Sequence, residues 1–221
     1  MIETNIIIFI SSLFIYETIY LFKKNDFNMI YFLLHFIVNL FNTICILPFL
    51  YNFILDPLFL ESYDNYSWLI YLYPALVSLH NFHMIHNLKQ INSDEIIHHI
   101  LTYSFWGLIL YLQHPIYIAS LIIMSGIPGG ITYGLLFLRK LNLIESITEK
   151  RISKDLNVWI RSPGCVMFGF LYIIRTLILN YSIYDLYMNI FIAIWTMING
   201  IHFMDNICES YYTIVANKKN N

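Results

Sequence analysis

Charge is what this chain most lacks. Only 12% of its 221 residues are Asp, Glu, Lys or Arg, about half the ~25% usual in soluble domains. Hydrophobic residues make up 58%, aromatic residues 18%, and the mean hydropathy is +0.62. That balance specifies an integral membrane protein. A net charge of −2 excludes the strongly basic surface that nucleic-acid binding or polybasic membrane attachment needs. Cysteine is scarce as well: Cys45, Cys165 and Cys208 lie far apart in or beside apolar stretches, without metal-ligand spacing or a disulfide framework. With no internal repeat and no low-complexity linker, the chain reads as one compact membrane domain.

Long apolar runs take the place of charge. A bilayer-spanning helix needs about 20 apolar residues, and seven windows qualify: 4–22, 27–50, 67–87, 96–112, 115–138, 164–181 and 186–205. Pro115 and Ser162-Pro163 supply helix-start chemistry for the fifth and sixth windows. Ser93-Asp94 supplies an N-cap for the fourth.

The basic residues orient these windows. Lys23 and Lys24 follow the first, Lys89 the third, Arg139 to Arg161 the fifth and Lys218 and Lys219 the seventh, so 11 of 12 basic residues share one face. The opposite connections carry Asp56, Glu61, Asp64 and Asp185 but no Lys or Arg. The positive-inside rule then puts the N-terminus lumenal or outside and the C-terminus in the cytosol. The expected fold is an all-α polytopic membrane protein with about seven transmembrane helices. It divides into an anchor helix and short loop over 1–26, a helical membrane domain over 27–215 and a basic cytosolic tail over 216–221.

The first window has no basic flank before it and no small-residue cleavage pattern after it, which marks an uncleaved anchor rather than a signal peptide. The ending Lys218-Lys219-Asn220-Asn221 is similar to the dilysine address by which a retrieval coat returns membrane proteins to the endoplasmic reticulum. A basic tail that only fixes orientation is the plain alternative. Asn65-Tyr66-Ser67 and Asn180-Tyr181-Ser182 are glycosylation sequons on the expected lumenal side, each close to a helix end.

Residues 139–163 form the one sizeable aqueous connection. Ile144, Ile147 and Ile152 alternate there with charges, which fits either an interfacial helix on the cytosolic leaflet or a solvated loop. Within the fifth window, Ser125-Gly126-Ile127-Pro128-Gly129-Gly130 interrupts an otherwise apolar run. Proline removes a backbone donor, and in lipid the freed groups must be satisfied by neighbours or a cavity. Gly126, Gly130 and Gly134 have the small-xxx-small spacing of close helix packing. A kink lining a ligand cavity with Gly126, Pro128, Gly129, Gly130 and Thr132 is the companion expectation.

Histidine is the residue that composition does not explain. By the expected topology, His80, His83 and His86 occupy the last two cytosolic turns of the third window, within ~9 Å of axial rise. His98 and His99 lie one turn inside the fourth, His202 and Asp205 near the end of the seventh, and His35 in the cytosolic half of the second. Seven of eight histidines thus fall in one half of the bundle, His114 being the exception. Ionisable groups in membrane segments face the bundle interior and are functional candidates by default. For His83 and His86 the plain alternative is an interfacial polar residue, and for His80 an interhelical hydrogen bond. Glu17 and Arg175 are further intramembrane ionisable groups able to pair structurally.

The segment Ser93-Asp94-Glu95-Ile96-Ile97-His98-His99-Ile100-Leu101-Thr102 resembles the signature of the TLC-domain superfamily, which includes ceramide synthases and translocating-chain-associating proteins. The shared features are an acidic residue four before a His-His pair and a threonine three after it. Residues 125–133 and 156–164 look like an uncharacterised branch, and the likeness extends over roughly 27–215. For a ceramide synthase, the resemblance implies acyl transfer from acyl-CoA to a lipid amine. The histidine pair would act as nucleophile or general base, with two aspartates one helix later. His98 and His99 match the pair. Residues 125–133 contain no carboxylate, only Ser125, Thr132 and Tyr133 as oxygen-bearing side chains, which argues against ceramide-synthase chemistry. Asp205 beside His202 is the substitute this sequence offers.

Three functions are therefore expected in order. The first is a TLC-like protein of the endoplasmic reticulum that binds or modifies membrane lipid, by acyl transfer at His98 or His99 with His202 and Asp205 assisting and acyl-CoA as candidate substrate. The second is a non-catalytic protein of lipid homeostasis or membrane insertion. The third is a di-iron fatty-acyl hydroxylase or desaturase with His80, His83, His86, His98, His99 and His202 as ligands. The spacings HxxHxxH and an isolated HH differ from the HxxxH and HxxHH boxes of such enzymes. No other cofactor is expected.

Overall fold

The computed structural model describes residues 2–22, 26–58, 64–88, 93–112, 115–122, 126–179 and 182–219. Lys23, Lys24, Lys89, His114, Ser125 and Asn180 lie outside the described residues, as do the side chains of Glu95, His98 and Lys219. The described residues are helical almost throughout and contain no strand. The helices are α1 (Ile2–Phe22), α2 (Phe27–Leu55), α3 (Tyr73–Asn87), α4 (Ser93–Leu112), α5 (Pro115–Leu121), α6 (Ile127–Lys140), α7 (Ser146–Leu156), α8 (Ser162–Ile178) and α9 (Ile183–Lys219). A 3-10 helix, Asp64–Tyr71, precedes α3, and a π-helical run, Asn157–Arg161, joins α7 to α8.

Local chemistry accounts for several boundaries. Asp26 caps α2, its carboxylate accepting the Met29 backbone N–H at 3.2 Å. Pro74 and Pro128 stand in the first turns of α3 and α6, where no backbone donor is needed. α6 ends at Asn142, whose φ of 58° is a left-handed conformation that Asn tolerates, and the Leu143 N–H closes on the Leu138 carbonyl at 3.0 Å.

Among the described residues, four helices are long and apolar enough to cross a membrane: Ile2–Phe22, Phe27–Leu55, the continuous Ser146–Ile178, and Ile183–Lys218. The protein is thus all-helical and compatible with integral membrane insertion. Of the other windows, the third comprises the 3-10 helix and the 15-residue α3, the fourth is the 20-residue α4, and the fifth contains α5 and α6 on either side of residues 123–125, which lie outside the described residues. Each of α3, α5 and α6 is shorter than a bilayer requires alone.

Two elements differ from simple expectation. Residues 146–156 are helical and packed against α6 and α9, so they do not form a solvated loop. Ser162-Pro163 likewise does not begin a helix after a loop, because α7, the π-helical run and α8 are continuous. A proline ring crowds the preceding turn, and widening that turn to π geometry accommodates it.

Helix contacts are dominated by α8 on α9, α2 on α6 and α1 on α3. In lipid such pairing relies on close packing rather than on exclusion of water. A Cβ on Gly200 would fall 2.4 Å from the Cys165 Cβ, and one on Gly130 would fall 2.9 Å from the Asn39 Cβ. The stripe Gly126, Gly130 and Gly134 is accordingly a packing face against Asn39 and Phe36 of α2. Phe49, Phe53, Leu69, Ile109 and Phe168 form one buried cluster, and Tyr16, Tyr31, Leu34, Leu79 and Phe82 a second around α3. Outward-facing Ile10, Phe14, Phe41, Ile44, Leu177 and Phe191 remain exposed. Such a surface suits acyl chains and would be an aggregation liability in water.

Candidate functional site

Four imidazoles from three helices meet inside the second cluster. His80 and His83, one turn apart on α3, His99 on α4 and His35 on α2 are each no more than 8% exposed. Ring centroids of His80 and His99 are 5.2 Å apart, those of His83 and His99 5.5 Å, and those of His35 and His80 5.5 Å. Two tyrosines complete the assembly. Tyr133 of α6 stacks on His35 at 4.0 Å, and Tyr31 stacks on His83 at 4.5 Å.

Hydrogen bonds link the rings. The Asn87 amide meets His83 Nε2 at 3.2 Å, and His83 Nδ1 lies 3.3 Å from His99 Nε2. An amide N–H at Nε2 suits the His83 tautomer that carries its proton on Nδ1, from which it can donate to His99 Nε2. On α2, His35 Nε2 is 2.9 Å from the Tyr31 hydroxyl, and the Asn39 amide is 3.5 Å from His35 Nδ1.

A cavity of about 80 Å³ adjoins the cluster, lined by His80 and Tyr73 of α3, Thr102 and Phe105 of α4, and Trp195 and Asn199 of α9, among others. That volume holds a few waters or the polar end of a larger molecule. Gly126, Pro128, Gly129, Gly130 and Thr132 are not among its lining residues; Pro128 and Gly130 are buried and Thr132 is half-buried on α6.

The structure separates the remaining candidates from this cluster. His86 turns to α1, where its Nε2 meets the Glu17 carboxylate at 2.9 Å and its ring packs against Tyr20, Phe82 and Phe27. His202 is exposed on α9 and bonds only locally, with Asn206 at 3.0 Å, and Asp205 is exposed as well. The backbone of His98 lies in α4 next to His99, and its side chain is outside the described residues. Among the described residues, no three His, Cys, Asp or Glu side chains are grouped so as to hold a metal ion. Arg175 is buried and donates to the Leu58 carbonyl. Lys218 is exposed in the last turn of α9, and Asn65 is exposed in the 3-10 helix.

Sequence reasoning did not select Tyr31, Tyr133 or Asn87, and it placed His35 without assigning it to the site. His35 and Asn39 at i, i+4, continued by Asn42, form a polar stripe on an apolar helix, and that was the available signal. Nothing local distinguishes Tyr31 or Tyr133 among 18 tyrosines. No family model, curated protein or solved structure matches the chain.

Proposed function

We propose that this is a TLC-like integral membrane protein of the endoplasmic reticulum that binds a lipid at the histidine cluster, with His80 on the cavity wall as the polar contact and His99 packed behind it. The arrangement includes about seven crossings, a lumenal N-terminus and a cytosolic C-terminus carrying the Lys218-Lys219 address. The single observation that carries this reading is the His83–His99 pair, buried with His35 and His80 beside a cavity. Polar groups are expensive in a bilayer interior, and four converging imidazoles exceed what three helices need for packing. An imidazole N–H at the cavity wall suits a lipid carbonyl, whose oxygen accepts a hydrogen bond and becomes more electrophilic. In a catalytic form, an imidazole of the cluster polarises the carbonyl of an acyl donor such as acyl-CoA while a lipid amine attacks; the thioester C–S bond breaks as the C–N bond forms, and the amine proton leaves with coenzyme A as its thiol.

The lack of a carboxylate in residues 125–133 favours a second, non-catalytic form in which the same contact retains lipid without turnover. Lipidomic extraction of the full-length protein, purified in a mild detergent, tests both. A discrete lipid class is expected in the wild type and absent from His83→Ala/His99→Ala. Incubation with acyl-CoA and a sphingoid amine separates the forms, since only the catalytic one yields an amide. Identical bulk lipid in both proteins, without product, would overturn the proposal.

A further inference from the structure

Arg161 closes the π-helical run with its guanidinium inside the protein. It is 9% exposed, and its Nε has no hydrogen-bond partner. Its carbon end lies 3.8 Å from the centroid of the Phe203 ring on α9. Among the described residues no carboxylate lies within ion-pair distance of it, and Cys165 and Tyr133 are the groups that act on its charge. A guanidinium does not shed its proton in proteins, so its burial leaves a fixed positive charge. One aromatic face compensates only part of that charge. The other buried cation–acid site of this end is complete by contrast: Arg139 bonds Glu149 at 3.1 Å, and Ser153 bonds the second carboxylate oxygen at 3.2 Å.

Four residues earlier in the same run stands Asn157. Its amide N–H donates to the Ser153 carbonyl at 2.8 Å, and its own carbonyl oxygen, Oδ1, is buried without a hydrogen-bond partner. Within about one helical turn the chain therefore offers an uncompensated guanidinium donor and an unused acceptor. Water or a neutral donor would satisfy the acceptor but not the charge. A phosphodiester would satisfy the charge but has no proton for the acceptor. A phosphate monoester in its hydrogen-phosphate form does both: its anionic oxygens accept from Arg161 and its P–OH donates to Asn157 Oδ1.

Depth favours a lipid as the bearer of that group. Along α9 the rise from Ile183 to Phe203 is about 30 Å, the thickness of a hydrocarbon core. With α9 entering the hydrocarbon at Ile183, Phe203, and Arg161 with it, fall at the level of the headgroup phosphates.

We propose that Arg161 and Asn157, backed by Phe203, form a binding site for a phosphate monoester, supplied by a lipid headgroup of the phosphatidate type. It goes beyond the histidine site and does not depend on it, since His83→Ala/His99→Ala leaves Arg161 and Asn157 in place.

Native mass spectrometry of the full-length protein in a maltoside detergent tests the site. Phosphatidate, phosphatidylglycerol, diacylglycerol and glycerol 3-phosphate are added separately. Phosphatidate is expected to be retained at least about tenfold better by wild type than by Arg161→Gln. Arg161→Lys should be intermediate, and Asn157→Leu should narrow the preference for phosphatidate over phosphatidylglycerol. Displacement by glycerol 3-phosphate at comparable concentration would reassign the site to a soluble ester and overturn the lipid source. Equal retention of diacylglycerol, or equal retention by wild type and Arg161→Gln, would overturn the site itself. Should Arg161→Gln fail to fold, phenylglyoxal modification of wild-type Arg161 decides the matter: phosphatidate protects it if the site exists and leaves the rate unchanged if it does not.

Discussion

His83 Nδ1 and His99 Nε2 face each other at 3.3 Å between α3 and α4. Removing one ring takes this contact from the other, and a buried polar atom that loses a hydrogen bond is costly. His99→Phe is expected to lower stability by ~1–3 kcal/mol. His83→Phe/His99→Phe should cost less than the sum of the single changes. Thermal unfolding of the four proteins in one detergent measures the coupling, and strict additivity would show that the rings do not interact.

The Glu149 side chain is 1% exposed and pairs with Arg139, which is a third exposed. Arg139→Ala leaves that carboxylate with Ser153 and should destabilise the protein by ~2–4 kcal/mol, toward the lower end because the arginine is partly hydrated. Arg139→Ala/Glu149→Gln removes the stranded charge and should recover much of the loss. Melting temperatures of both variants check this, and a double variant as unstable as the single one would contradict it.

Glycines provide an internal contrast. Gly200→Ala drives a methyl group into Cys165, with Ser162 Cα also only 3.4 Å away, and should cost ~1–3 kcal/mol by separating α8 from α9. Gly107→Ala on α4 meets nothing within 4 Å and should be neutral or stabilising by ~0.5–1 kcal/mol, as expected where a helical glycine is merely flexible. The order of the two melting temperatures is the readout.

Orientation is open to direct measurement. With Cys45, Cys165 and Cys208 replaced by Ser, a Tyr212→Cys probe on exposed α9 should react with an impermeant maleimide once the plasma membrane alone is permeabilised. Labelling only after the endoplasmic reticulum is opened would reverse the proposed sidedness.

Much of the helical plan could be read from hydropathy because helix formation in lipid leaves the backbone few alternatives. The interruptions were less legible. Pro128 announced trouble in the fifth window, and the spacing of Gly126, Gly130 and Gly134 admitted both a packing face and a cavity wall; Asn39 and Phe36 opposite them supply the packing. Sequence position grouped His80, His83 and His86, whereas the structure turns His86 away to Glu17 and Tyr20 of α1, between the rings of Phe27 and Phe82. His202 was assigned by depth alone, and depth does not fix azimuth. Arg161 counted in the sequence only as a topogenic charge, since nothing local reveals that a guanidinium is buried under a phenyl ring.

The unbroken course of α7 into α8 has a mechanical consequence. A helix cannot rotate at one end without dragging the other unless some turn yields, and here the widened turn of Asn157–Arg161 is the compliant one. Whatever docks beside it would stiffen that joint, so events on the aqueous arm would reach the lipid-embedded arm as torque when the joint is locked and dissipate when it is loose.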